Sequence, residues 1–190
     1  MIKINNLELN TSKGKFYLRP LNELYNTYCM RALKQFFEHI DSDLENYLGL
    51  PKRTEGLTEL NSAVQVLLLK EQPQHKYWLI ADSYYNTIGI MYLYDLKINY
   101  QKANIAYGLL AEYRNKGLMQ EILKASIEVL SNVFNLIRIG AEIETDNLAS
   151  LKLIKKLKEF NYEGTCHNYW GPDVTCDIYA YYNKNTKEEL

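Results

Sequence analysis

Apolar residues in this chain change their spacing several times, and each change marks an element. Phe16-Tyr17-Leu18-Arg19 reads as a short strand that Pro20 closes, because proline has no N–H with which to continue a ladder. From Leu21 to about Tyr47 the spacing is helical. Leu21, Leu24, Tyr25 and Tyr28 recur, then Phe36, Phe37 and Ile40, and Asp41-Ser42-Asp43 breaks the stretch in two. A loop carries Leu50-Pro51-Lys52 and Glu55-Gly56. Leu57, Leu60, Val64, Leu67 and Leu68 then mark one face of a helix that ends before Pro73.

Residues 77–81 and 88–94 are strands on either side of residues 82–87, where Asn86 is the expected turn residue. A third strand runs from about 103 to 110, and the spacing suggests an antiparallel meander. Residues 121–134 return to helical intervals with Ile122, Leu123, Ile127, Leu130 and Phe134. Residues 137–144 alternate, with Ile137, Ile139, Ala141 and Ile143 on one face and Glu142 and Glu144 on the other. Asp146 and Asn147 open a further amphipathic helix through Leu148, Leu151, Ile154, Leu157 and Phe160, and strands at 162–165 and 174–182 close the chain. The first residues, through the polar stretch 5–15, suggest no element. The order is β-α-α-β-β-β-α-β-α-β-β, an α/β or α+β mixture around one central sheet.

Composition narrows the class. A chain of 190 residues is one ordinary domain, and 47% hydrophobic with 24% charged residues is the balance of a globular protein. A formal net charge of −1 argues against broad binding to nucleic acid, which needs a basic face. Cys29, Cys166 and Cys176 are odd in number and unrelated in spacing, so they read as thiols of a reducing compartment. They make no metal spacing with His39, His75 or His167. No secretory signal is visible, and nothing approaches the ~20 apolar residues of a membrane span, so a soluble, cytoplasmic protein is expected. Seventeen tyrosines suit either a Tyr-rich core or an aromatic-lined cleft.

Chemistry concentrates in residues 106–119, a strand, a short polar turn and a helix start. Backbone amides that curl into a helix N-terminus lack intrahelical partners, and the helix dipole adds about half a positive charge, so such a turn is an anion site. Gly117 lets the main chain approach a phosphate with no Cβ in the way. A strand-to-helix turn with two solvated cations is the plainer alternative. Neither a P-loop nor a dinucleotide-binding G-x-G-x-x-G is present.

Arg114-x-x-Gly117-x-Met119 resembles the [QR]-x-x-G-x-[GA] pyrophosphate loop of GNAT acetyltransferases, which bind acetyl-coenzyme A. Asn147-Leu148-Ala149-Ser150 resembles the N-x-A-S motif of the RimJ/RimL-type ribosomal-protein N-acetyltransferases. Leu18-Arg19-Pro20 and Glu163-Gly164 match the opening strand and the "eG" of the same branch. The resemblance spans about 16–182 and implies a single GNAT-like domain with a mixed, mostly antiparallel sheet flanked by helices. Met119 stands where Gly or Ala is usual. Residues 157–160 carry one residue more than the usual Leu-Gly-Phe turn, and Ile154 occupies the place of a tyrosine found in many GNAT enzymes. The 167–173 segment is short and lacks the glutamate proposed as base in the N-terminal serine acetyltransferases.

The resemblance also implies roles. Acetyl-coenzyme A would be the co-substrate, with no metal. Main-chain groups around Leu109 and Leu110 would meet the pantetheine arm, and the amides of Arg114, Asn115, Lys116, Gly117, Leu118 and Met119 would hold the pyrophosphate. Lys116, Lys152 and Lys155 would screen its charge. Asn147 would contact the coenzyme, although an asparagine there also suits a helix N-cap. Ser150 would protonate the leaving sulfur, and Glu142, five residues before Asn147, would be the base. Tyr169 and Trp170 are candidates for the acceptor side. The implied acceptor is the N-terminal α-amine of a protein, ribosomal by analogy. The alternatives are a small-molecule or antibiotic-like amine, or a module that binds coenzyme A without turnover.

Overall fold

The computed structural model describes residues 6–21, 27–50, 67 and 72–184. Leu24, Tyr25, Leu57, Leu60, Val64, Leu68 and the loop at 51–56 lie outside the described residues. Leu67, within the expected third helix, is helical and fully buried.

The stretch that suggested no element contains a strand. β1 (Leu7–Thr11) pairs antiparallel with β2 (Gly14–Pro20), and its alternation Leu7-Glu8-Leu9-Asn10 buries Leu9. Only two apolar positions carry that alternation, too few to stand out from a polar run. The turn between the strands is closed by the Thr11 hydroxyl, which donates to the Gly14 carbonyl at 2.8 Å. After it come α1 (Thr27–His39) and α2 (Ser42–Tyr47). Asp41 does break the helical stretch, because its side chain caps α2 by accepting the Leu44 N–H at 3.1 Å.

β3 (Lys76–Ala81), β4 (Thr87–Lys97) and β5 (Lys102–Leu109) form the expected antiparallel meander. At its first turn the left-handed residue is Tyr85 rather than Asn86, whose N–H and side-chain amide are both held by the Asp82 carboxylate. α3 (Leu118–Phe134) crosses over to β6 (Arg138–Glu144), which lies parallel to β5. Ile137 falls just before β6 and is partly exposed, while Ile139, Ala141 and Ile143 are buried.

α4 (Leu148–Ile154) is shorter than its apolar spacing suggested. Leu157 and Phe160 reach the core through two successive turns, Leu157 N–H to the Ile154 carbonyl at 3.0 Å and Phe160 N–H to the Leu157 carbonyl at 3.1 Å. Tight turns return every third residue to the same side, as a helix does, so the spacing does not separate them. Phe160 then begins β7 (Phe160–Cys166), and Leu148 is 72% exposed rather than on the apolar face. β8 (Cys176–Tyr182) completes one eight-stranded sheet of order β1-β2-β3-β4-β5-β6-β8-β7.

Each face of the sheet is covered. α3 and α4 pack Ile122, Leu123, Ile127, Leu130, Leu151 and Ile154 on one side, with Trp78, Met91 and Ile139. α1 and α2 pack Leu33, Phe36, Phe37 and Leu44 on the other, with Leu79 and Ile90. The one parallel contact is brief. β5 and β6 pair at Lys102–Arg138, Ala103–Ile139 and Asn104–Gly140, and their pairing goes no further. A Cβ on Gly140 would lie 2.3 Å from the Asn104 Oδ1, so the asparagine side chain occupies the crotch of the fork. Beyond it the two strands run on with unpaired edges facing each other.

Candidate active site

The fork opens into a cavity of about 1500 Å³. One wall is Ile105–Leu109 of β5, the other Ala141–Glu144 of β6. The start of α3 closes one end, and α2, the start of α4 and Trp170 close the rest. Every β-strand edge must satisfy its amides somewhere, so unpaired edges within a cavity mark a place for a ligand that supplies partners. Leu110 N–H is spent on the Ile88 carbonyl at 2.9 Å. By strand alternation the N–H of Leu109 turns the other way, towards the fork.

At the end formed by α3, Asn115 and Gly117 both take left-handed conformations, with φ of 60° and 71°. Gly117 is the N-cap and offers no side chain to the first helical amides. A Cβ there would find only the Lys13 Cε at 3.9 Å, so the demand for glycine comes from backbone conformation and not from crowding. The larger side chain of Met119 does not obstruct the amides, because it is buried in the core beneath α3.

Arg114 is committed elsewhere. Its Nε donates to the Leu109 carbonyl at 2.8 Å, and its terminal nitrogens reach both Asp41 oxygens at 2.8 Å and Asp43 at 3.3 Å. Its own N–H is held by the Ala111 carbonyl. The residue ties the loop to the cap of α2. Burial pushes the Asp41 carboxyl up, but its bonds to Arg114 and to the Leu44 amide outweigh that and hold it below the usual range. Lys116 lies 5.6 Å over the Tyr113 ring, and Lys152 faces the cavity, as does Lys156. Lys155 does not line it.

The other end holds the remaining candidates. Asn147 is the N-cap of α4, its side-chain oxygen accepting the Ser150 N–H at 3.1 Å. Ser150 Oγ meets the Tyr107 hydroxyl of β5 at 3.1 Å. Burial pushes the Tyr107 hydroxyl up to about 12, against a smaller opposite effect of Ser150. Glu142 accepts three hydrogen bonds, from Asn104 Nδ2 and Tyr94 Oη at 2.8 Å and from Tyr169 Oη at 2.6 Å. Burial and Glu142 together push the Tyr94 hydroxyl well above its ordinary range. Glu144 lies nearby on the same face, its carboxyl raised by burial and by Asp146.

Asp41, Tyr94, Asn104 and Tyr107 hydrogen-bond to the candidate residues, and the sequence reading passed over them. Tyr94, Asn104 and Tyr107 sit in ordinary strand alternation, and their partners lie 38 to 48 residues away. Asp41 carried one usable signal, its place before a helix start. Among the described residues, no group of three or more His, Cys, Asp and Glu side chains is placed to hold a metal ion.

A sequence profile of the acetyltransferase (GNAT) domain matches residues 16–158, most of the chain. The chain belongs to the GNAT acetyltransferase family. Members of this family are acetyl-coenzyme A-dependent N-acetyltransferases, and that is the activity of this enzyme. It is 25% identical over 131 residues to the uncharacterized N-acetyltransferase YoaA of Bacillus subtilis (strain 168), a match covering 68% of this chain and 73% of that protein. In fold this acetyltransferase is similar to RimL, a ribosomal L7/L12 alpha-N-protein acetyltransferase, in complex with coenzyme A. The TM-score is 0.72 at 20% identity, over 93% of this chain and 98% of the other. Spermidine N-acetyltransferase from Vibrio cholerae, in complex with coenzyme A and spermine, gives a TM-score of 0.67 at 15% identity, over 88% and 95%. No helix among the described residues is long and apolar enough to cross a membrane.

Proposed function

We propose that acetyl-coenzyme A occupies the fork and that the enzyme acetylates the N-terminal α-amine of a protein, a ribosomal protein by analogy with RimL. The observation that carries this reading is the fork itself. Unpaired strand edges run from uncapped helix amides at one end to a carboxylate and a hydroxyl pair at the other. The residues present fit the coenzyme. Its pyrophosphate would lie on the amides of residues 115–119, where Gly117 supplies the backbone turn and α3 its positive end. Leu109 N–H would polarise the carbonyl, and Asn147 and Lys152 would flank the arm.

Acetyl-coenzyme A supplies an activated acyl group; the chain must supply a neutral amine and a proton for the departing sulfur. Glu142 would take the ammonium proton, through one water. Three of its roughly four acceptor positions are filled by Asn104, Tyr94 and Tyr169, which fixes the carboxylate and leaves one position open. Ser150 Oγ–H would deliver a proton at the sulfur and recover one from water in the cleft.

An α-amine has a pKa near 7.7–8.0 and a lysine near 10.4, so neutralising lysine at pH 7 costs roughly 3.4 kcal/mol more. A site with one largely saturated base therefore favours the α-amine. A peptide panel read by mass spectrometry should show acetylated N-termini well ahead of internal lysines, and mainly lysine products would reverse the assignment. A small polyamine is the second reading, favoured by one feature. The Tyr47 hydroxyl is raised by burial and then by Asp146, Asp43 and Glu144, so three carboxylates gather at the cleft mouth, with Trp170 nearby. Including spermidine in the panel separates the two.

Glu142→Gln should lower kcat at pH 7 by ~10²-fold or more with coenzyme affinity nearly intact. Much of the loss should return at pH 9, where more α-amine is already neutral. Wild-type turnover at pH 7 would move the base to Glu144 or to bulk water.

A further inference from the structure

We infer that Tyr107 is a positioning residue that sets the direction of the Ser150 proton, an inference that rests on the proposed role of Ser150. The two oxygens are 3.1 Å apart, and either could be the donor on geometry alone. Chemistry decides between them. A phenol is far more acidic than an aliphatic alcohol, so it is the stronger donor, and the serine oxygen is the better acceptor. Tyr107 therefore donates to Ser150 Oγ. A hydroxyl that accepts from one side turns its own hydrogen away, and both residues line the fork, so the Ser150 hydrogen is directed into the cavity.

The surroundings hold this arrangement in place. The Ser150 N–H is bound by the Asn147 side chain, which anchors the first turn of α4. Tyr107 is part of β5, paired to Met91 of β4, so its ring rises from a fixed strand. Its hydroxyl, raised to about 12 by burial, remains protonated across any working pH and never ceases to donate. No proton leaves Tyr107 in the reaction. As the new C–N bond forms and the C–S bond breaks, the bonding pair departs with sulfur, and the Ser150 hydrogen already points along the path of transfer. The arrangement explains how the chain works with Ile154 at the position of the family tyrosine. It does not replace that tyrosine with another acid; it orients a serine.

The test is a double-variant cycle with two readouts. In the first, Tyr107→Phe should lower kcat about five- to tenfold, one hydrogen bond's worth, and leave KM for acetyl-coenzyme A unchanged. Tyr107→Phe combined with Ser150→Ala should be no slower than Ser150→Ala alone. In the second, the thiol of bound coenzyme A is titrated by its thiolate absorbance. A serine hydrogen aimed at sulfur stabilises the thiolate, so the thiol pKa should rise in Ser150→Ala and rise likewise in Tyr107→Phe. Additive losses in kcat, or a Tyr107→Phe titration identical to wild type while Ser150→Ala shifts, would overturn the inference. A Ser150→Ala variant unchanged in both readouts would instead overturn the role of Ser150 itself.

Discussion

At the residue scale, Gly117 and Arg114 divide the work of the proposed pyrophosphate loop. Gly117 holds a backbone conformation at φ 71° that a β-branched residue adopts only under strain. Gly117→Val should weaken acetyl-coenzyme A binding at least tenfold, ~1.4 kcal/mol by calorimetry, with circular dichroism confirming the fold. An unchanged affinity in the folded variant would remove the loop from the binding site. Arg114 makes the subtler case. The family resemblance implies its main-chain amide for the pyrophosphate, yet that N–H is held by the Ala111 carbonyl and the guanidinium braces Leu109, Asp41 and Asp43. Arg114→Lys keeps the charge but loses the planar fork that bridges three partners. Coenzyme affinity should therefore fall several-fold in Arg114→Lys and little further in Arg114→Ala. A wild-type affinity in the lysine variant would mean that charge, not bracing, is what the position supplies.

At the element scale, α2 is held against β5 by the absence of a side chain. A Cβ on Gly108 would come within 2.3 Å of Leu44 Cδ2 and 3.0 Å of Leu48 Cδ1. Leu44 is buried, and Tyr92 Oη donates to the Leu48 carbonyl at 2.8 Å, so neither leucine moves cheaply. Gly108→Ala should cost about 1–3 kcal/mol of overpacking, or roughly 2–10 °C in Tm for a chain of this size. Leu44→Ala, destabilising on its own, should recover part of that loss in combination. A Gly108→Ala variant as stable as wild type would show that α2 packs more loosely than the contact distances indicate. The same helix carries the Asp41 cap that anchors Arg114, so displacement of α2 should also weaken coenzyme binding.

At the scale of the whole molecule, β6 and β7 are bridged over β8 by an ion pair, Arg138 with Glu163 at 2.5 Å, joined by the Tyr182 hydroxyl. Both side chains are about a quarter exposed. The bond from Arg138 holds the Glu163 carboxyl below its ordinary range, against a smaller upward push from burial. A group whose pKa is lower in the folded state stabilises the protein above its unfolded pKa of about 4.3 and loses that contribution as pH falls through the folded value. Glu163→Gln should cost ~1 kcal/mol or less at pH 7, given the solvent exposure. The difference in Tm between the two proteins should narrow as pH falls below about 4. A gap undiminished there would assign the effect to packing of the side chain.

The sequence by itself determined most of the elements and where two of the helices start. Period-two spacing made β5 and β6 legible and helical spacing made α3 legible, because one buried face is written in local alternation, while β3 and the first half of β4, buried on both faces, were legible as short apolar runs bounded by turn residues. Arg114-x-x-Gly117 and Asn147-x-x-Ser150 were legible too, since a helix start is recognised within a few residues. Tertiary structure alone decided the fork. Nothing local indicates that β5 and β6 pair for three residues and stop, or that Asn104 sits in their crotch. Tyr94 and Tyr107 looked like ordinary strand aromatics, and Tyr169 like a residue of the acceptor side alone, until the sheet order brought them against Glu142 and Ser150. Strand pairing is set by contacts across dozens of residues, and a hydroxyl becomes part of a site only when the fold selects its neighbour.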